Sequence, residues 1–241
     1  MSVLLRLEDV AKSFGAVKAV DGISMSLDQG EVLGIIGPNG AGKTTLFNLI
    51  TGDLRPDAGR VILAGQEIAR MPPERRCRAG IARSYQIPHP FAGMTVFENL
   101  LVGAIFGGRQ SERVAYAHCT AILERTGLAG RANRLAGNLP LLDRKRLELA
   151  RALATRPKLL LLDEIAGGLT DLEVHDLLET LRGLRAEGIS LIWIEHLVHA
   201  LLAVVDRIAA MAAGRLLIEG PPAEVVASPA VRETYMGIAP E

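Results

Sequence analysis

A glycine-rich segment that follows an apolar run constrains the fold of this chain more than any other feature. Residues 37–45 read Gly-Pro-Asn-Gly-Ala-Gly-Lys-Thr-Thr and come directly after Val32–Ile36. The spacing G-x-x-x-x-G-K-T, placed between a strand and a helix, is typical of a phosphate-binding loop. Glycines let the backbone wrap closely around phosphates, and N–H groups at the start of the helix supply positive potential. The sequence therefore predicts an α/β fold that binds a nucleoside triphosphate.

Two side chains of this loop have predicted chemical roles. Lys43 would reach the β- and γ-phosphates, and the hydroxyl of Thr44 would ligate Mg²⁺. The residues predicted to contact the nucleotide are Gly37, Pro38, Asn39, Gly40, Ala41, Gly42, Lys43, Thr44 and Thr45.

Adjacent carboxylates follow a second apolar run. Asp163 and Glu164 come directly after Leu159–Leu162. In an open α/β sheet the carboxyl ends of the strands border the ligand crevice, so both residues are expected near the loop. Asp163 is predicted to hold Mg²⁺, directly or through water, and Glu164 to polarise an attacking water as general base.

The remaining pattern indicates a mainly parallel core sheet. Val32–Ile36, Leu159–Leu162 and Ile189–Ile194 are continuous apolar runs, which is typical of strands covered on both faces. Asp171–Glu187, between the last two runs, has leucines at helical spacing and predicts a βαβ unit. In the opening third, short runs separated by turn residues predict an antiparallel edge: Val3–Leu7, Ile23–Leu27 and Arg60–Leu63.

A helical subdomain is predicted to be inserted in this core. Residues 91–139 are rich in Ala, Leu and Arg, with helix-like spacing over Val96–Ala104 and Arg113–Arg125. We expect one domain over residues 1–241, with the α/β core in 1–90 and 140–241.

Composition and sequence pattern argue against three classes of protein: general nucleic-acid binders, membrane-spanning proteins and secreted proteins. Lys+Arg and Asp+Glu number 27 each, so the basic excess of a general nucleic-acid binder is missing and no nucleic-acid partner is expected. Apolar runs fall far short of the ~18 residues that a membrane-spanning helix needs. Arg6, Glu8 and Asp9 interrupt the stretch that a signal peptide would require. The predicted location is cytoplasmic.

Taken together, the motifs give the chain a clear resemblance to the ATPases of the ABC transporter family. The order and spacing of residues 37–45, Gln86, Leu159–Glu164 and His196 resemble that family along essentially the whole chain. The resemblance implies a P-loop NTPase fold of ABC type that binds ATP and Mg²⁺. It implies that Phe14 stacks on adenine, that Gln86 contacts Mg²⁺ and the catalytic water, and that His196 hydrogen-bonds the γ-phosphate.

The complete set of expected site residues divides by role. The catalytic residues are Glu164, His196 and Gln86. The metal ligands are Thr44, Gln86 and Asp163.

Finer features are similar to the branched-chain amino-acid importer group. They lie in residues 45–48, 95–103 and 146–153 and in the tail 228–237. This resemblance implies an ATP-hydrolysing subunit, peripheral on the inner face of the cell membrane, that drives import of branched-chain amino acids or related small polar solutes. The implied partners are a second ABC ATPase subunit, integral-membrane permease subunits and, indirectly, a periplasmic solute-binding protein.

One family motif is altered here. Where the family signature reads L-S-G-G-Q, this chain has Leu139-Pro140-Leu141-Leu142-Asp143. In the family, the Ser hydroxyl and Gly N–H groups reach the γ-phosphate on the opposite subunit of a dimer. Pro140 has neither group, and the leucines add bulk. We expect this segment to begin a helix, with Asp143 either adding negative charge near the phosphates or capping the helix 144–153.

The loop after the predicted base differs from the family as well. Ile165 replaces the usual Pro, and Thr170 replaces an Asp or Asn. Because both loops normally face the other subunit, we hypothesise an asymmetric heterodimer in which a different ATPase supplies the intact signature.

Two other functions stay open at the level of sequence. One is a soluble non-transport ABC ATPase acting on nucleic acid or the ribosome, although such proteins usually have two ATP domains or basic patches. The other is a regulatory nucleotide-binding subunit, which would have no need for Glu164 and His196.

Overall fold

The computed structural model describes residues 2–236. Its strands are β1 (Val3–Phe14), β2 (Val17–Asp28), β3 (Val32–Ile36), β4 (Ala58–Leu63), β5 (Gln66–Glu67), β6 (Ile81–Ser84), β7 (Leu159–Asp163), β8 (Ser190–Ile194), β9 (Arg207–Ala212) and β10 (Arg215–Gly220). Its α-helices are α1 (Lys43–Thr51), α2 (Pro73–Ala79), α3 (Val96–Val102), α4 (Glu112–Arg125), α5 (Leu141–Ala154), α6 (Asp171–Ala186), α7 (Val198–Leu202), α8 (Pro222–Ala227) and α9 (Pro229–Met236).

A six-stranded sheet forms the centre of the protein. Its strand order is β10-β9-β3-β8-β7-β6, and all neighbouring strands run parallel except β10, which is antiparallel to β9. Strands β3, β7 and β8 are buried at every residue, which explains their continuous apolar sequence.

A second, four-stranded sheet is antiparallel, in the order β2-β1-β4-β5. β1 and β2 each span 12 residues and are longer than the sequence predicts. A register shift between Leu7 and Val10, with Asp9 at a φ of +47°, interrupts the alternation of apolar and polar residues. Because alternation is the signal that marks a half-buried strand, the predicted strand ended too early.

Two apolar cores lie on opposite faces of the central sheet. Leu159 and Leu161 of β7 pack in the core that includes β1, β2 and α1, whereas Leu160 and Leu162 pack in the core formed with α3 to α6. Successive side chains of one strand thus enter different cores, as the period of two in a strand requires. The phosphate-loop helix and the helical segment are both anchored to the same strands.

The middle of the chain is helical. α3 and α4 pack against each other and against α5, and a π-helical turn, Gly103–Gly107, continues α3. The boundaries placed at 90 and 140 stay a prediction. α8 and α9 contribute Val225 and Val231 to the core, while residues 237–241 of the tail lie outside the described residues.

The predicted fold class is confirmed, with its parallel core, antiparallel edge and helices. No helix in residues 2–236 combines the length and the apolar character needed to cross a bilayer.

Candidate nucleotide site

The site lies at the carboxyl ends of neighbouring parallel strands. The order β3-β8-β7-β6 places four segments side by side at one edge of the sheet: the loop after β3, His196 after β8, Asp163 and Glu164 at the end of β7, and Gln86 after β6. Residues as far apart in sequence as Gly37 and His196 therefore converge, because parallel strands end at a common edge.

The phosphate loop connects β3 to α1. Lys43, the first residue of α1, is 6% exposed, and its Nζ donates to the carbonyl oxygens of Gly37 at 2.7 Å and Pro38 at 3.0 Å. Burial lowers the pKa of Lys43, while the carboxylates of Glu164 and Asp163 act in the opposite direction. A buried ammonium at the N-terminus of α1 makes this loop suited to a polyanion.

Gly42 is required at the start of α1 by its surroundings as well as by its backbone. It has a φ of +97°, and a Cβ atom there would lie 2.1 Å from the carbonyl oxygen of Ala19. A side chain would push the loop away from β2, so the closely wrapped backbone depends on glycine at this position.

Glu164 occupies the middle of a hydrogen-bonded triad with Gln86 and His196. Gln86 Nε2 donates to Glu164 Oε2 at 2.5 Å, and His196 Nε2 lies 2.8 Å from Glu164 Oε1. Because an ionised carboxylate only accepts hydrogen bonds, His196 Nε2 carries the hydrogen in this arrangement. The three residues assigned catalytic roles from the sequence are therefore in direct contact.

The backbone of Glu164 is unusual for a residue with a side chain. Its φ is +49°, in the left-handed region, and its N–H donates to the carbonyl oxygen of Ile194 at 2.9 Å. A conformation of this kind costs energy and persists where the surrounding structure imposes it, which is common at functional sites. The turn aims the carboxylate away from the buried strand and towards the loop.

A cavity of about 800 Å³ lies in front of these groups. Of the predicted site residues, those lining it are Phe14, Asn39, Gly40, Ala41, Gly42, Lys43, Thr44, Thr45, Gln86, Glu164 and His196. Gly37 and Pro38 do not line the cavity; their carbonyl oxygens accept the hydrogen bonds from Lys43. Asp163 is also set back and is 3% exposed.

Phe14 stands at the end of β1 on the rim of the cavity. Its side chain is 50% exposed, and the ammonium of Lys12 lies 5.8 Å from the ring centre. Lys12 is itself held by Asp57 at 2.7 Å. An exposed ring face at a cavity rim can stack on a planar base.

The sequence interpretation missed the partner of Asp163. Arg83 Nη2 donates to Asp163 Oδ2 at 2.6 Å, and the Arg83 side chain is 5% exposed. An arginine within the short buried strand Ile81–Ser84 was the available signal, because a buried charge needs a partner.

The altered signature segment begins α5, as expected, but its cap differs from the prediction. Pro140 is the N-cap residue and α5 starts at Leu141, so the prediction of Asp143 as N-cap is wrong. Asp143 lies inside the first turn, is 1% exposed and accepts from Arg131 Nη1 at 2.5 Å. Arg131 thus engages one oxygen of the Asp143 carboxylate, whereas Leu141 is 60% exposed. The segment thus presents a leucine where the signature would present serine and glycine.

The loop after Glu164 is tied to two charged side chains that the sequence interpretation also missed. Glu195 Oε2 accepts from the N–H of Ala166 at 3.0 Å, and its Oε1 accepts from the N–H of His196 at 2.9 Å. Lys145 donates to the carbonyl oxygen of Gly167. This loop is therefore linked both to α5 and to the segment that carries His196.

Comparison with known proteins decides the family. Residues 20–167 match the ABC transporter family. The chain belongs to the ABC transporter ATP-binding family. It is 38% identical to a probable branched-chain amino acid transport ATP-binding protein, LivG, of Methanocaldococcus jannaschii, with 97% of each chain covered. It is 36% identical to the high-affinity branched-chain amino acid transport ATP-binding protein BraF of Pseudomonas aeruginosa, covering 97% of this chain and 98% of that protein.

Solved structures agree with this assignment. A nucleotide-free ATP-binding cassette from an ABC transporter superposes on this ABC ATPase with a TM-score of 0.90 and 36% identity, covering 98% of this chain and all of the other. The ADP conformation of an ABC transporter cassette gives the same TM-score and identity, with 99% of this chain covered. Proteins of this family are ATPases that power transport, and this chain is an ATP-binding subunit of that kind.

Proposed function

We propose that this ABC ATPase hydrolyses MgATP at its phosphate loop to drive import of branched-chain amino acids or related small polar solutes. The observation that carries the proposal is the contact of Glu164 with both Gln86 and His196 at the cavity of the loop. The solute class rests on the relatives, which are named as branched-chain amino acid transport ATP-binding proteins.

The side chains support a direct role in hydrolysis. Glu164, as general base, takes a proton from the attacking water, and Gln86 and His196 orient its two carboxylate oxygens. Lys43 and the N–H groups of α1 stabilise negative charge on the phosphates. His196 is expected to hydrogen-bond the γ-phosphate, and Phe14 to stack on adenine.

The predicted magnesium ligands fit that cation. Thr44 offers a hydroxyl oxygen and Asp163 a carboxylate oxygen, and Mg²⁺ prefers such ligands. Gln86 uses its Nε2 to bond Glu164, so the amide oxygen of Gln86 is left as the third metal ligand. When bound, Mg²⁺ would neutralise charge on the β- and γ-phosphates.

The signature segment supports an asymmetric dimer. Pro140 cannot donate a hydrogen bond, Leu141 is exposed, and Asp143 is engaged by Arg131. This chain would therefore supply the phosphate loop and base of one site, while a second ABC ATPase subunit with an intact signature closes over them. The opposite site, closed by residues 139–143, would hold ATP weakly.

The implied membrane partner would dock beside Gln86. A groove of about 360 Å³ lies there, lined in part by Tyr85, Phe91 and Val102. Tyr85 and Phe91 are 44% and 45% exposed, and nearby Ile87 is 66% exposed. An apolar surface next to a catalytic residue suits a cytoplasmic segment of a permease. The chain would thus work at the inner face of the cell membrane, with a periplasmic solute-binding protein delivering the solute.

The dimer and its partners can be tested with one variant. Glu164→Gln should bind MgATP without hydrolysing it and so trap any closed dimer. We expect the purified variant to remain at its monomer mass of 25.8 kDa with MgATP, and to co-purify from cells with permeases and a second ATPase. The double variant Glu164→Gln/Lys43→Ala, which lacks the phosphate contact, is the matched control.

Two results would count against the proposal. A clean homodimer that depends on MgATP would show that residues 139–143 can close over phosphate, and the asymmetry would be wrong. Recovery with ribosomes or DNA in place of permeases would reject the transport function.

A further inference from the structure

We propose that Arg83 is a positioning residue for the magnesium site, acting through Asp163. Its guanidinium fixes one oxygen of that carboxylate and leaves the other for the cation or a cation-bound water. The inference rests on the proposed function, since it assigns a new residue to the same site.

The hydrogen bonds of Arg83 join two separate parts of the site. Nη2 donates to Asp163 Oδ2 at 2.6 Å, at the end of β7. Nη1 donates to Asn48 Oδ1 at 2.5 Å, in the helix that begins with Lys43. The planar guanidinium sets the directions of both bonds at once. Rotation of the Asp163 carboxylate would therefore require movement of α1 or loss of a bond.

Aromatic rings restrict the guanidinium further. Its central carbon lies 5.5 Å from the ring centre of Phe47, in α1, and 4.7 Å from that of Tyr85. Tyr85 directly precedes Gln86. Arg83 thus touches all three segments that carry the predicted metal ligands.

Charge explains why a cation is suited to this position. Asp163 is 3% exposed and adjacent in sequence to Glu164, so two carboxylates lie together and Arg83 bonds to only one oxygen of Asp163. Asp53 is a second acidic neighbour, 4.0 Å from Arg83 Nη1. Groups that hold a metal-ligating carboxylate from behind change metal affinity by about 10- to 100-fold when removed.

Arg76 provides a matched control. It is also a buried arginine, 1% exposed, and within residues 2–236 its acceptors are all backbone carbonyl oxygens, those of Leu49, Ile50, Ala69 and Met71. A substitution there should lower stability through lost hydrogen bonds without touching the predicted metal ligands.

The test uses Mn²⁺ as a probe for Mg²⁺, in the presence of the non-hydrolysable analogue AMP-PNP. Free Mn²⁺ is measured by electron paramagnetic resonance for the full chain and for Arg83→Met, Arg83→Lys and Arg76→Met. AMP-PNP binding in EDTA is measured in parallel. We expect Arg83→Met to weaken Mn²⁺ binding about 10- to 100-fold with metal-free AMP-PNP affinity within about twofold of wild type. Arg83→Lys keeps the positive charge but not the planar guanidinium, so its Mn²⁺ affinity should lie between those of wild type and Arg83→Met. Arg76→Met should bind Mn²⁺ as wild type does.

Three outcomes would overturn the role of Arg83. The first is wild-type Mn²⁺ affinity in Arg83→Met. The second is a loss of metal-free AMP-PNP affinity in Arg83→Met as large as its loss of Mn²⁺ affinity. The third is the same loss of Mn²⁺ affinity in Arg76→Met. If Arg83→Met does not fold, Asn48→Ala removes the second anchor and should still weaken Mn²⁺ binding several-fold, whereas unchanged binding would reject the proposal. A wild-type protein that binds neither AMP-PNP nor Mn²⁺ would instead reject the proposed nucleotide site itself.

Discussion

At the scale of single residues, the sequence predicts side chains that have a motif and misses those that support them. Gln86, Glu164 and His196 were assigned from motif positions, and the structure brings them within hydrogen-bond distance. Arg83 and Glu195 belong to no motif, and their partners lie 80 and 29 positions away in sequence. Only the packing of the strands reveals such pairs, because a single sequence carries no record of long-range contacts.

Gly42 gives a direct prediction at this scale. Gly42→Ala combines an unfavourable backbone conformation with a collision against Ala19, so we expect it to lower the free energy of unfolding by about 2–5 kcal/mol. It should also weaken ATP binding, since the loop must move. Urea unfolding followed by the fluorescence of the single, fully buried Trp193 measures the stability.

Gly188→Ala is the matched control for this change. Gly188 also has a positive φ, +83°, but a Cβ there meets nothing within 4 Å. Its free energy of unfolding should fall only by the cost of a left-handed backbone at alanine, about 1–2 kcal/mol, and its ATP affinity should equal that of wild type. Equal losses of unfolding free energy in Gly42→Ala and Gly188→Ala would contradict the importance of the contact between the loop and β2.

At the scale of elements, two positions at which the chain departs from its family, Pro140 and Thr170, are the N-cap residues of α5 and α6. The Thr170 hydroxyl accepts from the N–H of Glu173, and the Glu173 carboxylate accepts from the N–H of Thr170. This capping box begins α6, so Thr170 has a local structural role where the family has Asp or Asn. α6 was predicted from leucine spacing, but the start of α5 was misplaced because Pro140, and not Asp143, is its N-cap residue.

Loss of this cap should be measurable. Thr170→Ala is expected to lower the free energy of unfolding by about 1 kcal/mol, because the N–H of Glu173 loses the hydroxyl that accepts its hydrogen bond. Thr180→Ala, in the middle of the same helix, is the control and should stay within about 0.5 kcal/mol of wild type in the same urea experiment. A larger loss for Thr180→Ala would show that the cap does not determine α6 stability.

The cap should also depend on pH. The backbone hydrogen bond from Thr170 lowers the pKa of Glu173, so the ionised carboxylate stabilises the helix at neutral pH. That contribution should disappear as the pH falls through the lowered pKa, and the difference in the free energy of unfolding between wild type and Glu173→Ala should shrink with it. A difference that is constant from neutral to acid pH would contradict the capping role of Glu173.

At the scale of the whole molecule, the parallel sheet determines where the site is. The adjacent ends of β3, β8, β7 and β6 bring the loop, His196, Glu164 and Gln86 together. The fold and this edge of the sheet were predictable because buried parallel strands have a distinctive apolar pattern.

The central claim is that hydrolysis takes place on this chain's phosphate loop with Glu164 as base. The most direct measurement is the ATPase rate of the complete transporter, with Glu164→Gln in this chain alone and then with the corresponding change in the partner ATPase alone. We expect the first to lower the rate by at least about 100-fold, as loss of a general base does, and the second to leave most of it. A transporter that keeps half or more of its rate with Glu164→Gln would contradict the account.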